Sequence, residues 1–148
     1  MKASEIRSRL LAQHAQLRAL VDQVRSACGS SGPAGSQDGQ RAGEGLQSAL
    51  SILVCTLRDH NAEEERLLRD VIVTADAWGP ARVEIMNEQH AREHRELYAR
   101  LSDAAIPNPS QLNVCLDRLM EHMAIEEKVI LGEDVLRDDV IAIDAFTG

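Results

Sequence analysis

Residues 60–64, HNAEE, and residues 122–126, HMAIE, repeat one arrangement, in which a histidine is followed four residues later by a glutamate. Residues four apart on an α-helix share a face and lie about 6 Å apart. Each stretch would therefore present an imidazole and a carboxylate side by side. A solvated surface has no use for such a pair, whereas a metal ion binds both groups. The two stretches predict helices whose inner faces carry metal ligands.

The remaining histidines, His14, His90 and His94, also lie in segments whose apolar residues recur at steps of three and four. This spacing is the core stripe of a helix that packs in a bundle. The composition agrees, because 44% of the residues are hydrophobic but only 2% are aromatic, which favours an aliphatic helical core over a β-sandwich. Four helices are predicted, over residues 4–27, 43–76, 80–103 and 110–131.

Gly, Pro and Ser mark the breaks between these helices. Residues 29–43, GSSGPAGSQDGQRAG, predict a flexible loop, and the IPNP sequence at 106–109 predicts a turn. Pro80 suits the first turn of a helix, and Gly132 suits a helix end. Short or flexible connections favour neighbouring helices that run in opposite directions.

We therefore predict an all-α protein, an up-down-up-down four-helix bundle over residues 1–132. A C-terminal tail at 133–148, acidic with an apolar centre, is expected to pack on the bundle or to dock a partner. In such a bundle, all five histidines lie ten to fourteen residues from the same end, which is roughly 15–20 Å at 1.5 Å per residue. The sequence thus predicts that five imidazoles and two carboxylates meet at one depth in the core.

The type of ligand indicates the metal. Five imidazole nitrogens and two carboxylates are too many for one ion, and none of the three cysteines lies in a CxxC motif, so a structural zinc site is disfavoured. Two octahedral ions with mixed nitrogen and oxygen ligands fit the set, and iron is the natural choice. Manganese and zinc stay as alternative occupants.

The order of these residues, His, His-x-x-x-Glu, His-x-x-x-His and His-x-x-x-Glu, resembles the hemerythrin-like (HHE cation-binding) family, and its spacing is similar to the bacterial members. The resemblance spans residues 4–131 and implies an up-down four-helix bundle around a non-heme di-iron centre. It implies an oxo- or hydroxo-bridged pair of irons bound by seven side chains: His90, His94 and His122 on one iron, His14 and His60 on the other, and Glu64 and Glu126 bridging them.

Two of the seven positions have a competitor next to them. The invertebrate oxygen carriers of the family place an aspartate five residues after the last histidine, where this chain has Glu127. Glu126 shares a helix face with the last histidine and is the chosen ligand. Likewise Glu64 continues the core stripe and is preferred over Glu63. The neighbouring glutamates, among them Glu63, Glu65 and Glu93, are expected to be solvated.

By the same resemblance, the iron with two histidines keeps an open position, at which O2, NO or peroxide would bind. The expected function is therefore binding or sensing of O2 or a related small ligand. The alternative is a di-iron enzyme that decomposes peroxide or reduces NO, and a metal-free helical scaffold comes third. A ferritin-like oxidase is disfavoured because the chain has no Glu-x-x-His. Tyr98, one turn after His94, is either a core aromatic, a hydrogen-bond donor beside the metal ligands, or a group that tunes or occupies the open position of the metal.

Charge and hydropathy limit the partners. The net charge of −8 argues against nucleic acids and anionic membranes. No apolar run approaches the roughly 20 residues of a membrane span, and the N-terminus lacks the apolar region of a signal peptide. We expect a cytoplasmic protein with reduced thiols. Any protein partner is unknown from the sequence.

Overall fold

The computed structural model describes residues 1–29, 36–75, 80–102, 109–133, 135–136 and 138, and at 70–75, 80–83, 85–87 and 109 it describes the backbone alone. The described residues form an all-α four-helix bundle, as predicted. Its helices are α1 (Ala3–Gly29), α2 (Gln37–Ala75), α3 (Pro80–Ser102) and α4 (Pro109–Val129).

The helices form a ring in which each contacts two neighbours, α1 and α3 both lying between α2 and α4. Contacts between α1 and α2 show the antiparallel direction, because Arg9 pairs with Glu63 while Gln13, further along α1, pairs with the earlier His60. The same holds for α1 and α4, where Arg18 pairs with Glu127 and Arg25 with Asp117. This is the predicted up-down arrangement, and it brings the inner faces of all four helices together.

Two apolar clusters fill the core. The larger one draws on all four helices and contains Leu17, Leu20, Val21, Val24, Leu53, Leu57, Leu97, Leu101, Leu112, Leu116, Leu119 and Met123. The smaller one, at the end where α1 begins, contains Ile6, Leu10, Leu67, Leu68, Leu131 and Leu136. The histidine and glutamate side chains lie between them along the chain: His14 follows Leu10 and precedes Leu17. A polar layer is thus enclosed by apolar layers, where unpaired polar groups cost several kcal/mol.

Helix α2 begins earlier than predicted. It starts at Gln37 rather than near Gly43, so residues 37–43, predicted as part of a flexible loop, are helical. The reason is an N-cap: the Gly39 N–H donates to the Ser36 hydroxyl at 3.0 Å, which satisfies a free N–H group of the first turn. Residues 30–35 of the predicted loop and residues 106–108 of the predicted turn lie outside the described residues.

The described part of the C-terminal tail folds back onto the bundle end. Leu136 is buried in the smaller apolar cluster. The Asp138 carboxylate accepts from the Ser4 backbone N–H at 3.0 Å and from the Ser4 hydroxyl at 2.6 Å, so it sits at the N-terminus of α1, where a negative charge is favourable. The apolar centre of the tail at 140–146 lies outside the described residues. In the part of the chain that is described, no helix combines the length and hydropathy needed to cross a membrane.

Candidate metal centre

Each helix contributes at least one side chain to a single polar cluster. The α1 helix supplies one imidazole, α2 an imidazole and a carboxylate one turn later, α3 two imidazoles one turn apart, and α4 again an imidazole and a carboxylate. We call these seven side chains the inner cluster: His14, His60, Glu64, His90, His94, His122 and Glu126. All of them were predicted as ligands, and the structure brings all seven together.

The inner cluster is shielded from solvent, but unevenly. His14 and Glu64 are fully buried, and His60 is 4% exposed. On the side of α3 and α4, the side chains of His90 and His122 keep 13% and 11% of their surface. The cluster is therefore closed toward α1 and α2 and is slightly open between α3 and α4.

The imidazole Nε2 atoms point at the two carboxylates. Glu126 Oε1 lies 2.7 Å from Nε2 of His122 and 3.1 Å from Nε2 of His90. Glu64 Oε2 lies 3.4 Å from Nε2 of His60 and 3.3 Å from Nε2 of His90. Both carboxylates thus touch imidazoles from more than one helix, which is the position that a bridging ligand requires.

Donor atoms in the cluster form two overlapping groups, and within each group they lie within 4.8 Å of one another. Opposite ligands of an octahedral ion, each about 2.1 Å from the metal, are about 4.2 Å apart, so both groups are of the size that one ion would hold. One group is His90, His94, His122 and Glu126, and the other is His14, His60, Glu64 and Glu126. Glu126 belongs to both groups.

Several of these buried atoms lack a hydrogen bond among the described residues: Nε2 of His14 and His122, Oε1 of Glu64, and Oε2 of Glu126. The Nε2 atom of His14 is 3.3 Å from Glu126 Oε2 without the geometry of a hydrogen bond. A buried polar atom without a partner costs about 1–3 kcal/mol. Coordination by a cation would satisfy these atoms together, so the donor set fits a metal site.

Electrostatics in the cluster favours charge separation. Burial acts to raise the pKa of Glu126, but its close contacts with the imidazoles of His122 and His14 outweigh burial, and its pKa is lowered. Burial acts to lower the pKa of His14 and of His90, yet contacts with Glu126 and Glu64 outweigh it and raise both pKa values. Glu126 is therefore held as a carboxylate, the form that binds a metal.

His60 behaves differently. Burial is the largest effect and lowers its pKa from 6.5 to about 4, although Glu64 opposes the shift. The imidazole is thus neutral at physiological pH and has a free lone pair to offer a metal.

A second set of polar side chains contacts the outer Nδ1 atoms of four imidazoles. These contacts are Glu127 to His14 at 3.0 Å, the Gln13 side-chain oxygen to His60 at 2.8 Å, Glu65 to His94 at 3.2 Å, and Glu93 to His122 at 3.4 Å. Such partners fix which ring nitrogen carries the proton and leave the other to the metal.

The expectation that Glu65 and Glu93 are merely solvated was incomplete. Both are partly exposed, and both also reach an imidazole on a neighbouring helix. Glu65 contacts His94 of α3 from α2, so no spacing within one helix could have revealed the pair. Whether this contact forms depends on the rotation of α2 relative to α3.

The geometry distinguishes the competing glutamates. Glu126 is 2% exposed among the imidazoles, whereas Glu127 points outward, where its hydrogen bond with Arg18 keeps its pKa low. On α2, Glu64 is buried in the cluster, and Glu63 instead accepts from Gln13 and pairs with Arg9. Glu126 and Glu64 were chosen because each shares a helix face with a histidine, and both side chains lie in the inner cluster.

Tyr98 is half-buried, and among the contacts of the described residues none joins its hydroxyl to the inner cluster by a hydrogen bond. No described contact therefore supports a role for Tyr98 as a hydrogen-bond donor to the metal ligands.

A groove on the surface between α3 and α4 reaches the cluster. His122 lines it together with Glu93, Leu97 and Ile125. His122 keeps 11% of its side-chain surface, so the inner cluster meets solvent at this groove.

Comparison with known proteins supplies a family. The family model described as "Hemerythrin HHE cation binding domain" matches residues 5–133, which include every residue of the inner cluster. Comparison with curated proteins and comparison with solved structures each found no match. Since the family model covers most of the chain and all four helices, the protein belongs to the hemerythrin HHE cation binding domain family.

Proposed function

We propose that the inner cluster holds two iron ions and that the protein binds or senses O2, or a related small ligand such as NO or peroxide, at one of them. Three imidazoles, His90, His94 and His122, would bind one iron. His14 and His60 would bind the other, with both carboxylates bridging. When bound, the iron pair would supply the redox chemistry that a diatomic ligand needs and that protein side chains lack.

The observation that carries this proposal is the overlap of the two donor groups. Glu126 belongs to both, and Glu64 contacts imidazoles of both, since its Oε2 atom lies 3.4 Å from Nε2 of His60 and of His94. Two separate sites would have two separate carboxylate sets. A shared set would hold two cations side by side, and the carboxylates would offset their mutual repulsion.

The number of imidazole donors decides where an outside ligand would bind. The iron beside His90, His94 and His122 would have three imidazole donors, and the iron beside His14 and His60 would have two. The second iron would therefore keep an open position for an outside ligand, on the side of α1 and α2, where these imidazoles are 0% and 4% exposed.

Burial suits ligand binding because it keeps bulk water from the open position. Apolar clusters lie on both sides of the polar layer and separate it from water. Restricted access to water favours release of the same molecule that was bound over its conversion.

The experiment is an anaerobic preparation of the ferrous protein, exposed to O2 and then to vacuum or argon while its optical spectrum is recorded. The proposal predicts a new absorption on exposure that disappears when O2 is removed, over repeated cycles. Prompt, irreversible oxidation with consumption of added peroxide would instead support a di-iron enzyme. A protein without iron would support neither and would leave only a helical scaffold.

A further inference from the structure

Gln13 lies between the inner cluster and a charged network on the surface of α1 and α2. Its side-chain oxygen is 2.8 Å from Nδ1 of His60, and its side-chain nitrogen donates to Glu63. Glu63 in turn pairs with Arg9 and lies 3.8 Å from Arg66. Gln13 therefore connects a buried imidazole with a carboxylate that two guanidinium groups surround.

The polarity of this connection is fixed by what each group can do. The Glu63 carboxylate only accepts hydrogen bonds, so the side-chain N–H of Gln13 must face it. The Gln13 oxygen then faces His60 and also only accepts, so Nδ1 of His60 must carry the proton. The lone pair of His60 is thereby left on Nε2, the atom that lies 3.4 Å from Glu64 inside the cluster.

The acceptor at His60 differs in kind from the others. His14, His94 and His122 meet carboxylates, those of Glu127, Glu65 and Glu93, at their outer nitrogens. For His60 the direct acceptor is the neutral amide of Gln13, and the carboxylate of Glu63 contacts that amide and not the ring. Gln13 also precedes His14 in α1. Two consecutive residues of one helix therefore act on the same part of the inner cluster: His14 belongs to it, and Gln13 contacts His60.

We propose that Gln13 is a positioning residue for the metal bound by His14 and His60, acting by holding His60 in the Nδ1–H tautomer with Nε2 directed at the metal. This inference rests on the proposed di-iron site. Without an acceptor at Nδ1, the ring can rotate or carry its proton on Nε2, and either change removes the lone pair from the metal. Loss of such a partner typically lowers metal affinity by 10–100-fold.

The test compares three variants with the wild-type protein. Gln13→Leu removes the acceptor at a similar size. The double variant Gln13→Glu with Glu63→Gln exchanges the two side chains, so that a carboxylate accepts from His60 and an amide donates to it, and the network is rebuilt. Gln16→Leu, an exposed position three residues further along α1, is the matched control.

Metal binding is measured by anaerobic titration with ferrous iron against a competing chelator. The wild type is expected to take up two irons per chain. Gln13→Leu should lower the affinity for one of the two irons by about 10–100-fold and leave the affinity for the other unchanged. The double variant should recover wild-type affinity, and Gln16→Leu should not differ from the wild type.

A second measurement separates positioning from a general structural effect. In the ferrous protein, the exchangeable Nδ1–H proton of an imidazole bound through Nε2 gives a paramagnetically shifted proton NMR signal. Gln13→Leu should lose one such signal or exchange it faster with solvent, and the double variant should restore it. The thermal stability of the metal-free variants records any structural change by itself.

Two results would overturn the inference while leaving the proposed function intact. One is that Gln13→Leu binds each of the two irons with the same affinity as Gln16→Leu does. The other is a loss in Gln13→Leu that the double variant does not recover, with the NMR signals unchanged. Failure of the wild type to bind two irons would overturn the proposed function first, and this inference with it.

Discussion

At the scale of single residues, one turn of α4 contains two glutamates with different surroundings. Glu126 faces the imidazoles and Glu127 faces Arg18. Both contact His14, the first at Nε2 and the second at Nδ1. Sequence alone could rank the two, because the spacing of four follows the helix face, but it could not show that the second one contacts the same ring from outside.

This difference predicts unequal effects of one substitution. Glu126→Gln removes the carboxylate common to both donor groups, and we expect it to abolish binding of the iron pair. Glu127→Gln keeps an acceptor at His14 and should lower iron affinity by at most about 10–100-fold. Iron per chain, measured after reconstitution and gel filtration, checks both. Two irons in Glu126→Gln would show that this residue does not bridge.

The pKa of His60 predicts how the metal-free protein responds to acid. Between pH 6.5 and about 4, the unfolded chain binds a proton at this residue that the folded protein does not. The contribution of His60 to the free energy of unfolding is thus fully present above pH 6.5 and is lost as the pH falls toward 4. A pKa difference of about 2.5 corresponds to on the order of 3 kcal/mol.

Urea unfolding of the metal-free protein at several pH values measures this effect. His60→Gln should flatten the fall in unfolding free energy between pH 6.5 and 4. His90→Gln is the control, because the raised pKa of His90 gives a contribution that is constant below pH 6.5 and is lost only above it, so this substitution should leave the slope between pH 6.5 and 4 unchanged. The same pH profile in wild type and His60→Gln would contradict the account.

Tyr98 yields a simpler expectation. With no described hydrogen bond to the cluster, Tyr98→Phe should leave iron content and the rate of oxidation of the ferrous protein unchanged, as followed by the optical spectrum. A changed rate with an intact iron spectrum would show that the Tyr98 hydroxyl acts on the metal site.

At the scale of helices, the periodicity of apolar residues was sufficient to predict all four helices, because each segment contains its own stripe of apolar residues. The start of α2 was missed since Gly39 and Gly43 suggest a loop, while the cap at Ser36 depends on geometry that composition does not record. The outer partners of the imidazoles were missed for a related reason: each lies on a different helix from the ring it contacts.

The C-terminal tail is the element whose role can be tested most simply. Leu136 is 3% exposed in the apolar cluster at the bundle end. Leu136→Ala should lower the free energy of unfolding by about 2–4 kcal/mol, as for other buried leucines, and should leave iron content unchanged. Val129→Ala, at a side chain that is 51% exposed, is the control and should cost far less. Denaturant unfolding gives both values, and a loss of iron in Leu136→Ala would show that the tail closes the metal centre.

At the scale of the whole molecule, the core consists of two apolar regions that are separated by a layer of imidazoles and carboxylates. The apolar regions stabilise the bundle, and the polar layer destabilises it unless its donor atoms are satisfied. Folding and metal binding are therefore expected to be coupled, with the ion completing the core.

Removal of metal should then lower the melting temperature. Free iron at 100 times its dissociation constant stabilises a folded protein by about 2.7 kcal/mol per site, and each kcal/mol raises the melting temperature of a chain of this length by about 2–4 °C. With two irons bound, we expect the iron-loaded protein to melt at least about 11 °C above the metal-free form in calorimetry. Glu126→Gln should show no shift with iron, and an equal melting temperature for both wild-type forms would contradict the coupling.

The most direct test of the central claim is anomalous X-ray diffraction at the iron edge from crystals of the reconstituted protein. Two adjacent peaks are predicted in the polar layer, one beside His90, His94 and His122 and the other beside His14 and His60, with Glu126 between them. A single peak, or iron found only outside these side chains, would contradict the account.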